Sequence, residues 1–301
     1  MIAKFPYFKH LVLEDKEEIE KLISAYEPYS DFNFTSLWSY NTNNQLKIAQ
    51  LNDNFVIELP DYFTSQPVLS VLGRHSIDGC LATLLDYSAE HQFGLNLKLV
   101  PEVVVKHLNH PGRFEIKEDE DNHDYILLVE EVSQFAGSKY YDKRNLVNRF
   151  SKAHPSHEII ELELTNQSVH QAIAHLFDVW VSHSKQSEAE SAVERTAITR
   201  LLSAAAHLDV RGLGCYVDNE LVGFTIYEKS FHGYGFISFE KADRRFPGLY
   251  ATLNHETAKR LQAMGCEFIN FEQDMGIPGL KQAKQLWRPV KFLKKYTVSY
   301  K

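Results

Sequence analysis

One pattern occurs twice in this chain and limits its fold more than any single motif does. Residues 46–51 (LKIAQL) and 55–59 (FVIEL) are short β-rich runs around Asn52-Asp53-Asn54, and 212–217 (GLGCYV) and 221–228 (LVGFTIYE) flank Asp218-Asn219. Asn and Asp tolerate the left-handed backbone of a tight two-residue turn, so each set predicts a β-hairpin. Helical spacing precedes both hairpins. It runs through Ile19, Leu22, Ile23 and Tyr26 within 14–27, and later from Ser168 to Lys185 and from Ala192 to His207. After Pro28, Ser30-Asp31 offers an N-cap for a further short helix through Phe34, Leu37 and Trp38. Each hairpin is followed by a strand, a helix and another strand. In the first half these are 67–73 (PVLSVLG), Ser76 to Tyr87, and 95–100 (LNLKLV). In the second they are 233–242 (GYGFISFEKA), 251–265 closed by Gly265, and 266–272 (CEFINFE).

Strands joined through helices predict an α/β class with mixed sheets. The order of hairpin, strand, helix and strand is similar to the GNAT acyltransferase architecture, met here twice. The expectation is therefore a tandem of GNAT-like domains, repeated in pattern without visible sequence identity. A length of 301 residues accommodates two domains of common size. The expected division is 1–135, an N-terminal GNAT-like domain, and 136–301, a C-terminal GNAT-like domain carrying the site. A basic helical stretch from Val132 to Lys152 lies at the join, with Phe135, Tyr140, Leu146, Val147 and Phe150 as apolar positions, and ends at His154-Pro155.

No stretch reaches the ~18 uninterrupted apolar residues of a membrane helix. The opening residues, MIAKFPYFKHLVLEDKEE, meet charge too early for a secretory apolar region. Cys80, Cys215 and Cys266 are scattered and lack CxxC spacing, so buried thiols in a cytoplasmic protein are expected. Among 14 histidines, His154 and His157 flank a helix-breaking proline, His170 and His175 fall on different helical faces, and no HExxH occurs; no metal site is expected. A net charge of −8 argues against general coating of nucleic acid. Two basic groups stand out nonetheless. One is Lys139, Lys143, Arg144, Arg149 and Lys152; the other, after Asp274 and with no acidic residue, is Lys281, Lys284, Arg288, Lys291, Lys294, Lys295 and Lys301. Solvated faces account for such groups as well as a local anion site does.

A GNAT-like domain holds a diphosphate on backbone N–H groups at the N-terminus of its main helix, where unpaired donors and the helix dipole favour negative charge. The usual loop reads Gln/Arg-x-x-Gly-x-Gly/Ala. Here Arg245-Phe246-Pro247-Gly248-Leu249-Tyr250 keeps the Arg and Gly spacing and puts a tyrosine where a small residue belongs. Arg245, Gly248 and Tyr250 are therefore candidate anion-binding positions, although a plain turn closed by Gly248 fits the same residues. Glu272 and Asp274 alternate on an extended segment and so share a face, suited to binding an ammonium or taking a proton. Lys281 and Lys284, three apart on a helical turn, suit a phosphate or an oxyanion. Glu240 ends a strand. Ordinary ion pairs explain Glu240, Glu272, Asp274 and Lys281 as well.

Four strings resemble one family, the C-terminal catalytic domains of phosphatidylglycerol lysyltransferases. They are 30–41 (SDFNFTSLWSYN), 140–150 (YYDKRNLVNRF), 239–261 (FEKADRRFPGLYATLNHETAKRL) and 268–297, within which NFEQDMGIPGLK at 270–281 is the most specific. The resemblance implies a tandem GNAT-like fold and transfer of an aminoacyl group from aminoacyl-tRNA. It implies catalytic roles for Glu240, Glu272, Asp274 and Lys281. Substrate or anion contacts would come from Arg144, Arg149, Arg245, Gly248, Tyr250, Asn270 and Lys284. The basic tail would then meet tRNA phosphates. Those lipid-directed synthases carry a membrane portion before this domain, and no such segment is expected here. A lipid headgroup, a peptide and a small amine all stand as acceptors. An acyl-CoA-dependent N-acetyltransferase and a non-catalytic binding module are the rival readings.

Overall fold

Both Asn/Asp turns close hairpins. β1 (Lys9–His10), α1 (Lys16–Ile23) and α2 (Phe34–Tyr40) precede β2 (Lys47–Leu51) and β3 (Asn54–Pro60), which pair antiparallel with Leu51 opposite Asn54. Asn52 and Asp53, at φ 50° and 62°, take the left-handed turn. β4 (Pro67–Leu72) extends this sheet to the order β1-β2-β3-β4. Then come α3 (Ile77–Glu90), β5 (Asn96–Pro101), α4 (Glu102–Lys106) and β6 (Phe114–Glu118). β6 is an unexpected strand, because FEIKE is short and mostly charged. The computed structural model describes every residue except Phe63, Lys185 and Gln186.

β7 (Asp124–Leu128) leads into α5 (Val129–Gln134) and α6 (Tyr141–Ala153). The single helical stretch expected over Val132 to Lys152 is thus two helices, parted where Phe135 and Gly137 take φ 48° and 76°. β8 (Glu158–Leu162), α7 (Gln167–Ser182) and α8 (Glu188–Ser203) follow; the expected helix end at Lys185 lies outside the described residues. β9 (Val210–Val217) and β10 (Glu220–Lys229) form the second hairpin around Asp218 and Asn219, at φ 51° and 66°. β11 (Tyr234–Ala242), α9 (Leu249–Ala263) and β12 (Phe268–Asn270) complete the series, and the strands line up in the order β7-β12-β11-β10-β9-β8. Only β11 and β12 pair in parallel within that series.

The chain ends with α10 (Pro278–Gln285), β13 (Lys291–Leu293) and β14 (Lys295–Tyr300). β14 inserts between β5 and β6, pairing antiparallel with both. That pairing makes the first unit discontinuous: it comprises 1–125 with 272–301, while 126–271 is the second unit. The division therefore departs from the expected 1–135 and 136–301, and it falls between Phe271 and Glu272, inside the 270–281 string.

Each unit has its own core. In the first, Val56, Leu69, Val71, Leu81, Leu84, Leu97 and Val298 pack between the sheets and α3. In the second, Phe150, Cys215, Val217, Val222, Leu249 and Leu253 pack α6 and α9 on the sheet. Each fully buried aliphatic or aromatic side chain stabilises its unit by roughly 1.5–3 kcal/mol. The three cysteines are buried and free, as their scatter predicts. Among the described residues no helix is long and apolar enough to cross a membrane.

Candidate active site

In the second unit, β11 and β12 pair only along Tyr234–Phe236, while β11 runs on beside β10 to Ala242. Glu240 sits on this extension, opposite Thr225 of β10, and is half-buried. The Asn254 amide on α9 donates to both of its oxygens, at 2.7 Å and 2.9 Å. Burial pushes the Glu240 carboxyl up to about 7, and the Asn254 hydrogen bonds and the nearby Lys241 and Lys143 ammoniums only partly oppose it. A carboxylate that titrates near neutrality, and is still partly reached by solvent, is suited to proton transfer.

The loop from Asp243 to Gly248 is tied to itself. Arg245, an expected anion contact, donates from Nε and Nη2 to Asp243 at 2.9 Å and 2.6 Å. Gly248 has φ 97°, and a Cβ there would lie 2.3 Å from the Leu146 carbonyl oxygen and 3.1 Å from Phe150 Cβ. Glycine is required because α6 packs on this point. The next residues, Leu249 and Ala251, are buried, and the Leu249 N–H donates to the Phe246 carbonyl at 3.2 Å. The first turn of α9 is thus covered by protein. Tyr250 turns its hydroxyl to the Trp180 indole, which donates to it at 2.9 Å, and burial raises the phenol to about 12. The Lys241 ammonium lies 4.3 Å from the Trp180 ring centroid and pairs with Glu194.

Among the other expected contacts of this unit, Arg144 donates to the Phe135 and Gly137 carbonyls, fastening the break between α5 and α6. Arg149 is exposed on α6. Asn270 ends β12, fully buried, in register with Phe236 and Ile126.

In the first unit, Glu272 and Asp274 do not share a face. Glu272 has φ 57° and Met275 φ 54°, so the extended segment expected there stops at β12. Glu272 accepts from the Ser36 hydroxyl at 3.3 Å. Burial raises its carboxyl and lowers the Lys284 ammonium, while each charge acts on the other in the opposite sense. Asp274 is fully buried and accepts from the Tyr125 hydroxyl and, at 2.8 Å, from the Gly276 N–H. Lys281 reaches the surface and pairs with Asp121 at 3.2 Å, whereas Lys284 is buried.

Beside Glu272 lies a charged group that sequence reasoning missed. Lys295, fully buried, meets Asp31 and, at 2.7 Å, Asp124, and donates to the Ser30 hydroxyl at 3.0 Å. The Ser30 N–H donates to Asp124 at 2.8 Å, and the Tyr62 hydroxyl donates to Asp31. Ser30 and Asp31 therefore do not cap α2; Asn33 does, its side chain accepting from the Ser36 N–H at 2.9 Å. An acidic residue opening an otherwise apolar strand, as Asp124 does in DYILL, was the available signal. Nor is the basic tail an open strip: Lys291 pairs with Glu27 and Lys294 with Glu118.

The sequence profile of the family described as phosphatidylglycerol lysyltransferase, C-terminal, matches residues 24–299. The chain belongs to this family. Membership supports an acyltransferase-type role. A crystal structure of a conserved protein of unknown function from Bacteroides thetaiotaomicron VPI-5482 is 27% identical and covers 100% of both chains with a TM-score of 0.86. The L-PGS structure from Bacillus licheniformis is 13% identical, matched over 100% of this chain and 94% of that one, at a TM-score of 0.62. A tandem GNAT protein from the clavulanic acid biosynthesis pathway is 10% identical over 97% of each chain, at 0.50. Among curated proteins none matches the chain. The fold of this family member is a tandem of GNAT-like domains, as the repeated order of elements predicts.

Proposed function

We propose that this family member transfers an aminoacyl group from aminoacyl-tRNA to an acceptor amine or hydroxyl, with Glu240 as the base. The observation that carries this reading is the largely buried Glu240 carboxylate, bridged by Asn254 and held near neutral proton affinity where β11 has left β12. The acceptor nitrogen or oxygen attacks the ester carbonyl, and its proton passes to Glu240. The ester C–O bond breaks, and the tRNA ribose oxygen leaves with that proton. An activated ester asks little more than positioning of both reactants. The covered first turn of α9 favours this donor over acyl-CoA, whose diphosphate would need those N–H groups. The exposed Arg149 and Lys152 of α6 are the proposed phosphate contacts, in place of the paired tail. Glu272 and Lys284 are assigned to a charge pair within the first unit. Asp274 and Lys281 are assigned to supporting their loop.

The test is incubation with tRNA charged with a radiolabelled amino acid and three acceptors: phosphatidylglycerol vesicles, amine-bearing peptides and small amines. Label should move to one acceptor class, and Glu240→Gln should slow transfer by roughly 10²–10⁴-fold while the variant remains folded. Undiminished transfer by Glu240→Gln removes Glu240 from the role. A strong thermal shift and acetyl transfer with acetyl-CoA would instead establish the N-acetyltransferase reading.

A further inference from the structure

Asn254 lies one helical turn beyond Tyr250 on α9 and is 2% exposed. Its amide nitrogen meets three oxygens: the two of Glu240, at 2.7 Å and 2.9 Å, and the Tyr250 carbonyl at 2.9 Å. A side-chain amide has two N–H bonds to share among them. The carbonyl four residues back is fixed by the helix, so it anchors the amide and leaves the remaining donation to straddle the carboxylate. Tyr250 is itself fixed at its far end by the Trp180 indole at 2.9 Å. A line of hydrogen bonds therefore runs from Trp180 through Tyr250 and Asn254 to Glu240. Asparagine is a poor residue for a helix interior, since its amide competes with the backbone, and here that amide is taken up by Glu240 and the Tyr250 carbonyl.

We propose that Asn254 is the positioning residue of the transfer site, its amide fixing both oxygens of Glu240 and favouring the ionised, proton-accepting form. The proposal rests on Glu240 as the base. Both oxygens of a carboxyl accept strongly only while neither carries the proton, so the straddling amide favours the ionised state. Burial acts in the opposite sense. The other groups facing Glu240 are Lys143 from α6, Lys241 from β11, Tyr250 from α9 and Thr225 across the ladder on β10. Two ammoniums already favour the anion, but they supply charge rather than direction. The amide, held in place by the helix, reaches both oxygens and so sets the direction in which the carboxylate points, and the Thr225 hydroxyl also favours the anion.

The experiment pairs an activity readout with one that needs no substrate. The Glu240 side-chain carboxyl is followed by ¹³C NMR through a pH titration, assigned by its loss in Glu240→Gln, and the transfer rate is measured over the same range. Asn254→Leu should raise the proton affinity of Glu240 about 10- to 100-fold, the scale of one hydrogen bond to a charged group, moving the titration midpoint up by about one to two units. The acid limb of the rate profile should move with it. Asn254→Ser, smaller and too short to straddle both oxygens, should do the same if the leucine variant fails to fold. An unmoved midpoint in a folded variant overturns the proposal. A midpoint that moves while the rate profile stays put overturns the positioning role by removing Glu240 as the base, although the hydrogen bond itself would then be established.

Discussion

Replacing Lys295 with methionine is the sharpest test of what holds the first unit together. The ammonium sits with no exposure between Asp31 and Asp124, 2.7 Å from the latter, and both carboxylates are as buried as it is. Burial alone would lower its proton affinity, but the two carboxylates outweigh burial and raise it. The sign follows from that direction. A folded value above the unfolded one gives stability that is fully present below the unfolded value and lost only as pH rises through the folded one, so the contribution is complete at pH 7. Methionine keeps the length of the side chain and removes the charge, leaving the two buried carboxylates without the ammonium between them. Removing one partner of such a buried group costs about 3–5 kcal/mol. Burial and Asp124 already raise the proton affinity of Asp31, so in the variant Asp31 should take up a proton as pH falls. The loss measured by urea denaturation should therefore be larger at pH 7 than at pH 5, and adding Asp31→Asn should restore part of it. A loss below about 1 kcal/mol at pH 7, or one independent of pH, would refute this reasoning.

Other outcomes follow from the same geometry. Glu240 binds its proton more tightly folded than unfolded, at about 7 against an ordinary 4.5, so this group makes stability fall as pH rises through that window; Glu240→Gln should flatten that slope in denaturation series at pH 5, 6 and 7. Gly248→Ala should cost about 1–3 kcal/mol from its left-handed backbone alone, with the approach of Leu146 adding to it, measurable as a lowered thermal midpoint. Tyr125→Phe removes a donor to the buried Asp274 and should cost about 1–3 kcal/mol while sparing transfer per folded molecule. Lys281→Ala breaks only an exposed pair with Asp121 and should stay within about 0.5 kcal/mol of the parent chain in the same denaturation assay.

What the sequence disclosed is what short-range chemistry decides. Asn52-Asp53 and Asp218-Asn219 announce their hairpins because a tight turn needs only its own residues. Gly265 ends α9 for the same reason, at φ 76°. Two of the misreadings involve partners distant in the chain. Ser30-Asp31 has the composition of a cap, yet its side chains are taken by Asp124 and Lys295, which no local pattern brings near. Lys295 counted as one more charge in a basic tail, although it begins β14 and is buried between β5 and β6. The alternation of Glu272 and Asp274 fails because Glu272 adopts a positive φ, which a non-glycine residue seldom does and its neighbours do not forecast. Glu240 was legible as a position at the end of a strand. Its neutral-range proton affinity was not, because that depends on the covering of β11 by α7 and α9.

The Arg-x-x-Gly spacing shows how a motif can survive with a different cause. In a diphosphate cradle the glycine lets a ligand approach the backbone, and the arginine stands free to pair with phosphate. Here the close approach is made by the Leu146 carbonyl of α6, and Arg245 is spent on Asp243, two residues before it. The tyrosine that breaks the motif has a use of its own: its carbonyl anchors Asn254 and its hydroxyl takes the Trp180 hydrogen bond. A small residue at 250 would keep the carbonyl but lose the second anchor. On the proposed reading, the same loop supports a carboxylate in place of holding an anion. That exchange is coherent only if the chemistry of the second unit needs a placed proton acceptor more than a bound diphosphate, which is the demand made by an amine or hydroxyl attacking an ester.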